Sequence, residues 1–177
     1  MKIFTNYSRQ PPLAGASTLL INRFLPGGRG LKHRELDLTT EQIRAIPGIV
    51  EHALSLAGRH GSIGTEYPRC LADGALDLEH LKVNTTCGAA LSFFIVGPSG
   101  LIRVCNHSPR ELLHWREWPA LMEDEYWKKF VFKDYLPESC RGCRFQGTCD
   151  GGCREAAHVC FGSPDAPDPV LSRSRRN

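Results

Sequence analysis

Four cysteines fall within fourteen residues in the register Cys140-x2-Cys143-x5-Cys149-x3-Cys153, a spacing that core packing does not require. Thiolates this close in sequence are metal donors. A Cys-x-x-Cys pair offers two sulfurs to one centre from a single tight loop, and Gly142, Gly147, Gly151 and Gly152 give that loop the backbone freedom to wrap around it. Cys70, Cys87 and Cys105 lie upstream and Cys160 just downstream, so the eight cysteines suffice for two four-thiolate sites.

Two metals suit such a set. Zinc takes tetrahedral four-cysteine sites, usually built from two short knuckles, whereas a cubane iron-sulfur cluster draws its cysteines from a more dispersed set. Only Cys140 and Cys143 form a simple knuckle. Cys149 and Cys153 follow at longer intervals and Cys87 and Cys105 stand apart, which favours iron and sulfide and leaves zinc as the alternative. His107 and His158, close to Cys105 and Cys160, read either as donors near the sulfurs or as ordinary polar residues. The sequence holds no nucleophile and base set, phosphate loop or internal repeat.

At 177 residues the chain is long enough for one core, or for a small domain joined to part of a larger one. A net charge of +3, with basic residues scattered apart from the tail, gives no case for nucleic acid. The opening MKIFTNYSRQPPLAG lacks the apolar stretch of a signal peptide, and no run approaches a membrane span. A cytoplasmic protein without a membrane partner is expected, and in that compartment clustered cysteines serve metal or redox chemistry rather than disulfides.

These thiols must be held by elements the sequence also announces. Residues 18–24 read as a buried parallel strand. Thr39 and Gln42 form a capping-box pattern that opens a helix with Ile43, Ile46, Val50, Ala53, Leu54 and Ala57 on one face. Pro47 is expected to kink or divide that helix, and Gly58 and Gly61 to close it. Residues 62–67 read as a short second strand. A βαβ fragment of this kind has too few strands to stand alone, so residues 1–68 look like part of a larger α/β structure. Residues 91–96 and 101–105 flank a Gly-Pro-Ser-Gly turn as a β-hairpin that carries Cys87 before it and Cys105 at its end. The Trp-rich residues 110–135 supply helical packing.

The order Cys87-x12-Gly100-x4-Cys105, a gap, and then Cys140-x2-Cys143-x5-Cys149-x3-Cys153 resembles the SPASM domain, the auxiliary-cluster domain of radical S-adenosylmethionine enzymes. The resemblance spans residues 70–171, and Cys149-Asp-Gly-Gly-Cys-Arg154 is similar to the family's Cys-x-Gly-Gly-Cys-Arg segment. The N-terminal strand, Pro/Gly loop and helix resemble the last part of the radical SAM barrel. The resemblance implies an α+β chain: a C-terminal remnant of a partial α/β barrel over residues 1–68, a small cysteine-rich SPASM domain with a β-hairpin and helices over 69–171, and a disordered basic tail over 172–177.

It further implies two [4Fe-4S] clusters serving electron transfer and the positioning of a peptide or small-protein substrate. Cys87, Cys105 and Cys153, with Cys70 as fourth ligand, would hold the first; Cys140, Cys143 and Cys149 would hold the second. The family often ends in Asp-Pro-x-Cys, where this chain reads Asp168-Pro-Val-Leu171. Leucine cannot ligate iron, so the vacant place falls to Cys160 or stays open. The Cys-x3-Cys-x2-Cys motif that binds the catalytic cluster is absent from the 177 residues, so the chain alone is not expected to cleave S-adenosylmethionine. That cofactor would enter only with a missing or partner catalytic half. The competing expectation is a non-catalytic peptide-docking or scaffold module with a structural metal.

Overall fold

A computed structural model describes residues 16–72 and 78–173. Strands β1 (Thr18–Ile21), β2 (His60–Ile63) and β3 (Leu81–Val83) form a parallel sheet in that spatial order. Ile21 pairs with Ile63, and Ile63 with Val83. Helix α1 (Thr40–Ala57) connects β1 to β2. It opens on the capping box, with Thr39 and Gln42 each bonding the other's backbone, and closes at Gly58 in the left-handed conformation. Ile43, Pro47, Val50 and Leu54 recur at helical spacing on its buried face. That face packs on Leu19, Ile21, Ile63 and Leu81 of the sheet, while Ala53 is exposed.

The structure differs from expectation at four places in this unit. β1 stops at Ile21 and is not buried on both sides, because α1 covers only one face of the sheet and Leu20 on the other is 67% exposed. β2 begins and ends earlier than 62–67, since after Ile63 the chain leaves the ladder and the Tyr67 amide bonds instead to the Asn84 carbonyl at 2.8 Å. β3 was not expected, and it joins the sheet from beyond residue 68. Pro47 neither divides nor ends α1. Its missing amide would have bonded the Ile43 carbonyl four residues back, and the Tyr67 hydroxyl donates to that carbonyl instead. The strands do not close into a barrel among the described residues.

β4 (Ile95–Val96) and β5 (Ile102–Arg103) make an antiparallel hairpin. It is shorter than expected because the amides of Leu91 and Ser92 turn back to the Gly88 carbonyl, at 3.1 and 2.7 Å. Ile102 also exchanges bonds with residues 112–113, its amide reaching the Leu113 carbonyl at 2.9 Å. A 3-10 helix (Trp115–Glu123) and α2 (Glu125–Val131) follow. Leu121, Tyr126, Trp127 and Phe130 pack with Ile102, Val104, Cys87 and Cys105 into a second core, whereas Trp115 and Trp118 stay on the surface.

Helices α3 (Arg154–Phe161) and α4 (Pro169–Arg173) complete the chain. α4 lies against α1 and inserts Val170 into the core of the sheet. Residues 172–173 of the expected tail are therefore helical. Residues 174–177, and the N-terminal residues 1–15 inspected for a signal peptide, lie outside the described residues. No helix among the described residues is long and apolar enough to cross a membrane.

Candidate metal centre

Cys140, Cys143 and Cys149 line one pocket, and Cys70 lines it with them. The rest of the wall is Pro68, Leu136, Phe145, Gln146, Gly151 and Leu171. A 3-10 turn (Glu138–Cys140) enters this outer group. The Cys143 amide then bonds the Cys140 carbonyl at 3.2 Å, and the Gln146 side chain accepts from the Gly142 amide at 2.8 Å, which closes the loop on itself. Backbone amides also point at sulfur. Phe145 reaches Cys143 Sγ at 3.5 Å, and Gly151 and Arg69 reach Cys149 Sγ at 3.3 and 3.4 Å. Amide donors of this kind tune the potential of an iron-sulfur centre. Burial pushes the Cys70 and Cys140 thiols up, and neighbouring sulfurs add to the rise at both. A cation in the pocket reverses that effect, so metal binding and thiol ionisation are coupled.

Cys87, Cys105 and Cys153 do not line this pocket and are all buried, at 9%, 7% and 4% exposure. Burial first, and the nearby carboxylates second, push all three thiols up, Cys105 to about 12. Glu66 is common to the three. Its charge acts on Cys87, Cys105 and Cys153, its side chain hydrogen-bonds Cys87, and burial raises its own pKa. Cys87 and Cys105 share one core cluster, Cys153 packs with Leu25 and Ala156, and the Glu66 carboxylate acts on all three, whereas Cys70 lines the pocket of Cys140, Cys143 and Cys149.

The segment Cys149-Asp-Gly-Gly-Cys-Arg154 joins the two groups, and each of its residues has a physical reason. Asp150 accepts from the Cys87 amide at 2.5 Å, Lys133 at 2.9 Å and the Tyr135 hydroxyl at 3.2 Å. At Gly151 a Cβ would stand 3.2 Å from Cys140 Sγ, and at Gly152 it would collide with the Asp168 carboxylate; both have positive φ, +74° and +93°. The Cys153 amide donates to Asp168 at 2.7 Å. Arg154, fully buried, bonds the carbonyls of Gly151, Gly152, Pro164 and Ala166. Asp168 also pairs with buried Arg23 from the loop after β1 and accepts from the Val170 amide at 3.0 Å, capping α4.

Cys160 lies on α3, where the Arg34 guanidinium approaches its sulfur at 3.5 Å; it does not line the outer pocket. His158 bonds the Tyr126 hydroxyl at 2.6 Å and faces Glu155 at 3.3 Å. His107 is half-buried, with burial and then Arg23 holding its pKa down. Among the described residues no three His, Cys, Asp or Glu side chains converge on a single ion. The outer thiols are spread around a pocket. That donor set fits a group with several metal corners, each taking one sulfur.

Glu66, Arg23 and Arg69 were not singled out by sequence. Arg23 and Arg69 lie in the stretches 22–30 and 68–70 that resemble the end of the barrel, but no role is legible for them there, and each of the three acts through a neighbour remote in the chain. Asp168 and Arg154 sat inside quoted segments, and that was the available signal for them.

No protein-family model matches the chain and no solved structure matches it. Among curated proteins, the PqqA peptide cyclase of Ruegeria pomeroyi is 33% identical over 87 residues, covering 45% of this chain and 23% of the relative. The match therefore spans under a quarter of the relative's length.

Proposed function

We propose that this chain is an iron-sulfur protein resembling the C-terminal part of a radical S-adenosylmethionine peptide-modifying enzyme, with a barrel remnant followed by a SPASM domain. The observation that carries this reading is the gathering of Cys70, Cys140, Cys143 and Cys149 around one pocket, with three further thiols buried outside it. Similarity to a PqqA peptide cyclase supports membership of the radical SAM peptide-modifying class and a peptide as substrate. The open edge of β1 and the bare Leu20 face support a sheet that is part of something larger.

Two [4Fe-4S] clusters, one at each thiol group, would supply one-electron transfer. The chain's own residues set the conditions for it. The second core excludes water from Cys87 and Cys105, while Asp150 and Asp168 fix the backbone on which Cys149 and Cys153 stand. The sequence contains no Cys-x3-Cys-x2-Cys, so S-adenosylmethionine would bind through a catalytic half carried elsewhere.

Anaerobic reconstitution tests the reading. The expected result is a brown protein with about eight iron and eight sulfide per chain, two cubanes' worth, and no 5′-deoxyadenosine formed with dithionite unless a partner bearing the three-cysteine motif is added. A colourless protein filled by zinc overturns it.

A further inference from the structure

We propose that Cys70 is the fourth thiolate of the outer centre, in place of the donor that Leu171 cannot provide. The inference rests on the iron-sulfur reading above. Cys70 sits on a single 3-10 turn (Arg69–Leu71) directly after Pro68. Its neighbour Arg69 is fastened to the cysteine loop three times. The Arg69 amide donates to Cys149 Sγ at 3.4 Å, its guanidinium donates to Thr148 Oγ1 at 3.1 Å, and that guanidinium lies 5.0 Å from the Phe145 ring centroid. These contacts hold Cys70 on the wall that Cys140, Cys143 and Cys149 complete.

Leu171 lines the same pocket from α4, whose start Asp168 fixes. A fourth donor therefore has two points of entry, the turn at residue 70 and the helix at residue 171, and this chain carries a thiol at the first and a hydrocarbon at the second. Cys160, the other free thiol, is committed to the Arg34 side of α3. With Cys70 in place the outer centre has four thiolates and no exchangeable corner, and it links the end of β2 to a loop 80 residues away.

The test uses the whole chain, reconstituted anaerobically, as parent, Cys70→Ala, Cys160→Ala and Cys70→Ala/Leu171→Cys. Iron and sulfide content, and electron paramagnetic resonance of the reduced protein with and without cyanide, are compared. In Cys70→Ala one of the two signals should gain a cyanide response absent from the parent, and the iron of that cluster, about half the total as one cubane of two, should leave to a chelator several-fold faster than it does from the parent. Cys160→Ala should match the parent. The thiol at 171 should restore parental spectrum and iron retention, which keeps the test decisive even where Cys70→Ala alone folds poorly. A double variant no better than a defective Cys70→Ala overturns the assignment, as does a cluster-bearing parent indistinguishable from Cys70→Ala. A parent that takes up no iron and sulfide overturns the functional reading and this assignment together.

Discussion

The Tyr67 hydroxyl donates to the Ile43 carbonyl, the acceptor that Pro47 leaves without its helical donor. Tyr67 and Ile43 are both fully buried, so the bond holds the chain just before Cys70 against the first turn of α1. Tyr67→Phe leaves a buried carbonyl unsatisfied, at about 1–3 kcal/mol. Pro47→Ala supplies the amide that the carbonyl lost. In that background Tyr67→Phe should cost less, and equal penalties in both backgrounds, read from urea denaturation midpoints, would contradict the exchange of donors.

Gly151 and Gly152 are adjacent but face different neighbours, so their alanine variants should fail differently. At Gly152 the added carbon meets the buried Asp168 carboxylate at φ +93°. Backbone strain of about 1–3 kcal/mol applies at both positions, and only at Gly152 does a collision with the buried carboxylate add to it, so Gly152→Ala should lower the melting temperature more than Gly151→Ala. At Gly151 the carbon presses on Cys140 Sγ at 3.2 Å, and Gly151→Ala should chiefly reduce iron at the outer group. Iron content and melting curves for both variants check the contrast. Equal iron retention with equal melting loss would contradict it.

The parts legible in sequence are those fixed by short spacing. Thr39 and Gln42 announce the capping box because both bonds close within one turn, and the cysteine register announces a shared loop because sulfurs a few residues apart must lie close together. The partner of Cys70 was not legible. It depends on where β2 ends relative to a loop 80 residues later, which local pattern does not encode. The same holds for β3, three residues long, and for Leu20, whose apolar side chain reads as core while its face of the sheet is bare. Pro47 misled because the compensating hydroxyl lies in another element.

Asp168 binds Arg23, the Cys153 amide and the Val170 amide at zero exposure. Asp168→Ala strands a buried guanidinium and two amides, and losing one member of a buried pair costs about 3–5 kcal/mol. Arg23→Ala in the same background removes the stranded charge. The double variant should therefore be destabilised by less than the sum of the singles, measured by denaturant titration at fixed metal content. Strict additivity would show that the pair is not coupled.

The two thiol groups differ in access, and that difference should appear as an order of events. Cys87, Cys105 and Cys153 are at most 9% exposed, whereas Cys70 is exposed and Cys140, Cys143 and Cys149 are half-buried. With clusters bound, a chelator should remove iron in two phases, about half of it in the fast one, as expected for two cubanes of unequal exposure. In metal-free protein at mildly alkaline pH, iodoacetamide should modify the outer four well before the inner three. Reagent must reach the sulfur, and only thiolate reacts. Burial opposes both requirements at the inner group, raising Cys105 to about 12 so that little of it ionises below that pH. Mass spectrometry of digests taken over time reads the order site by site. Labelling of Cys153 as fast as Cys70 would show that the inner group is open to solvent and would remove the basis for two phases of iron loss.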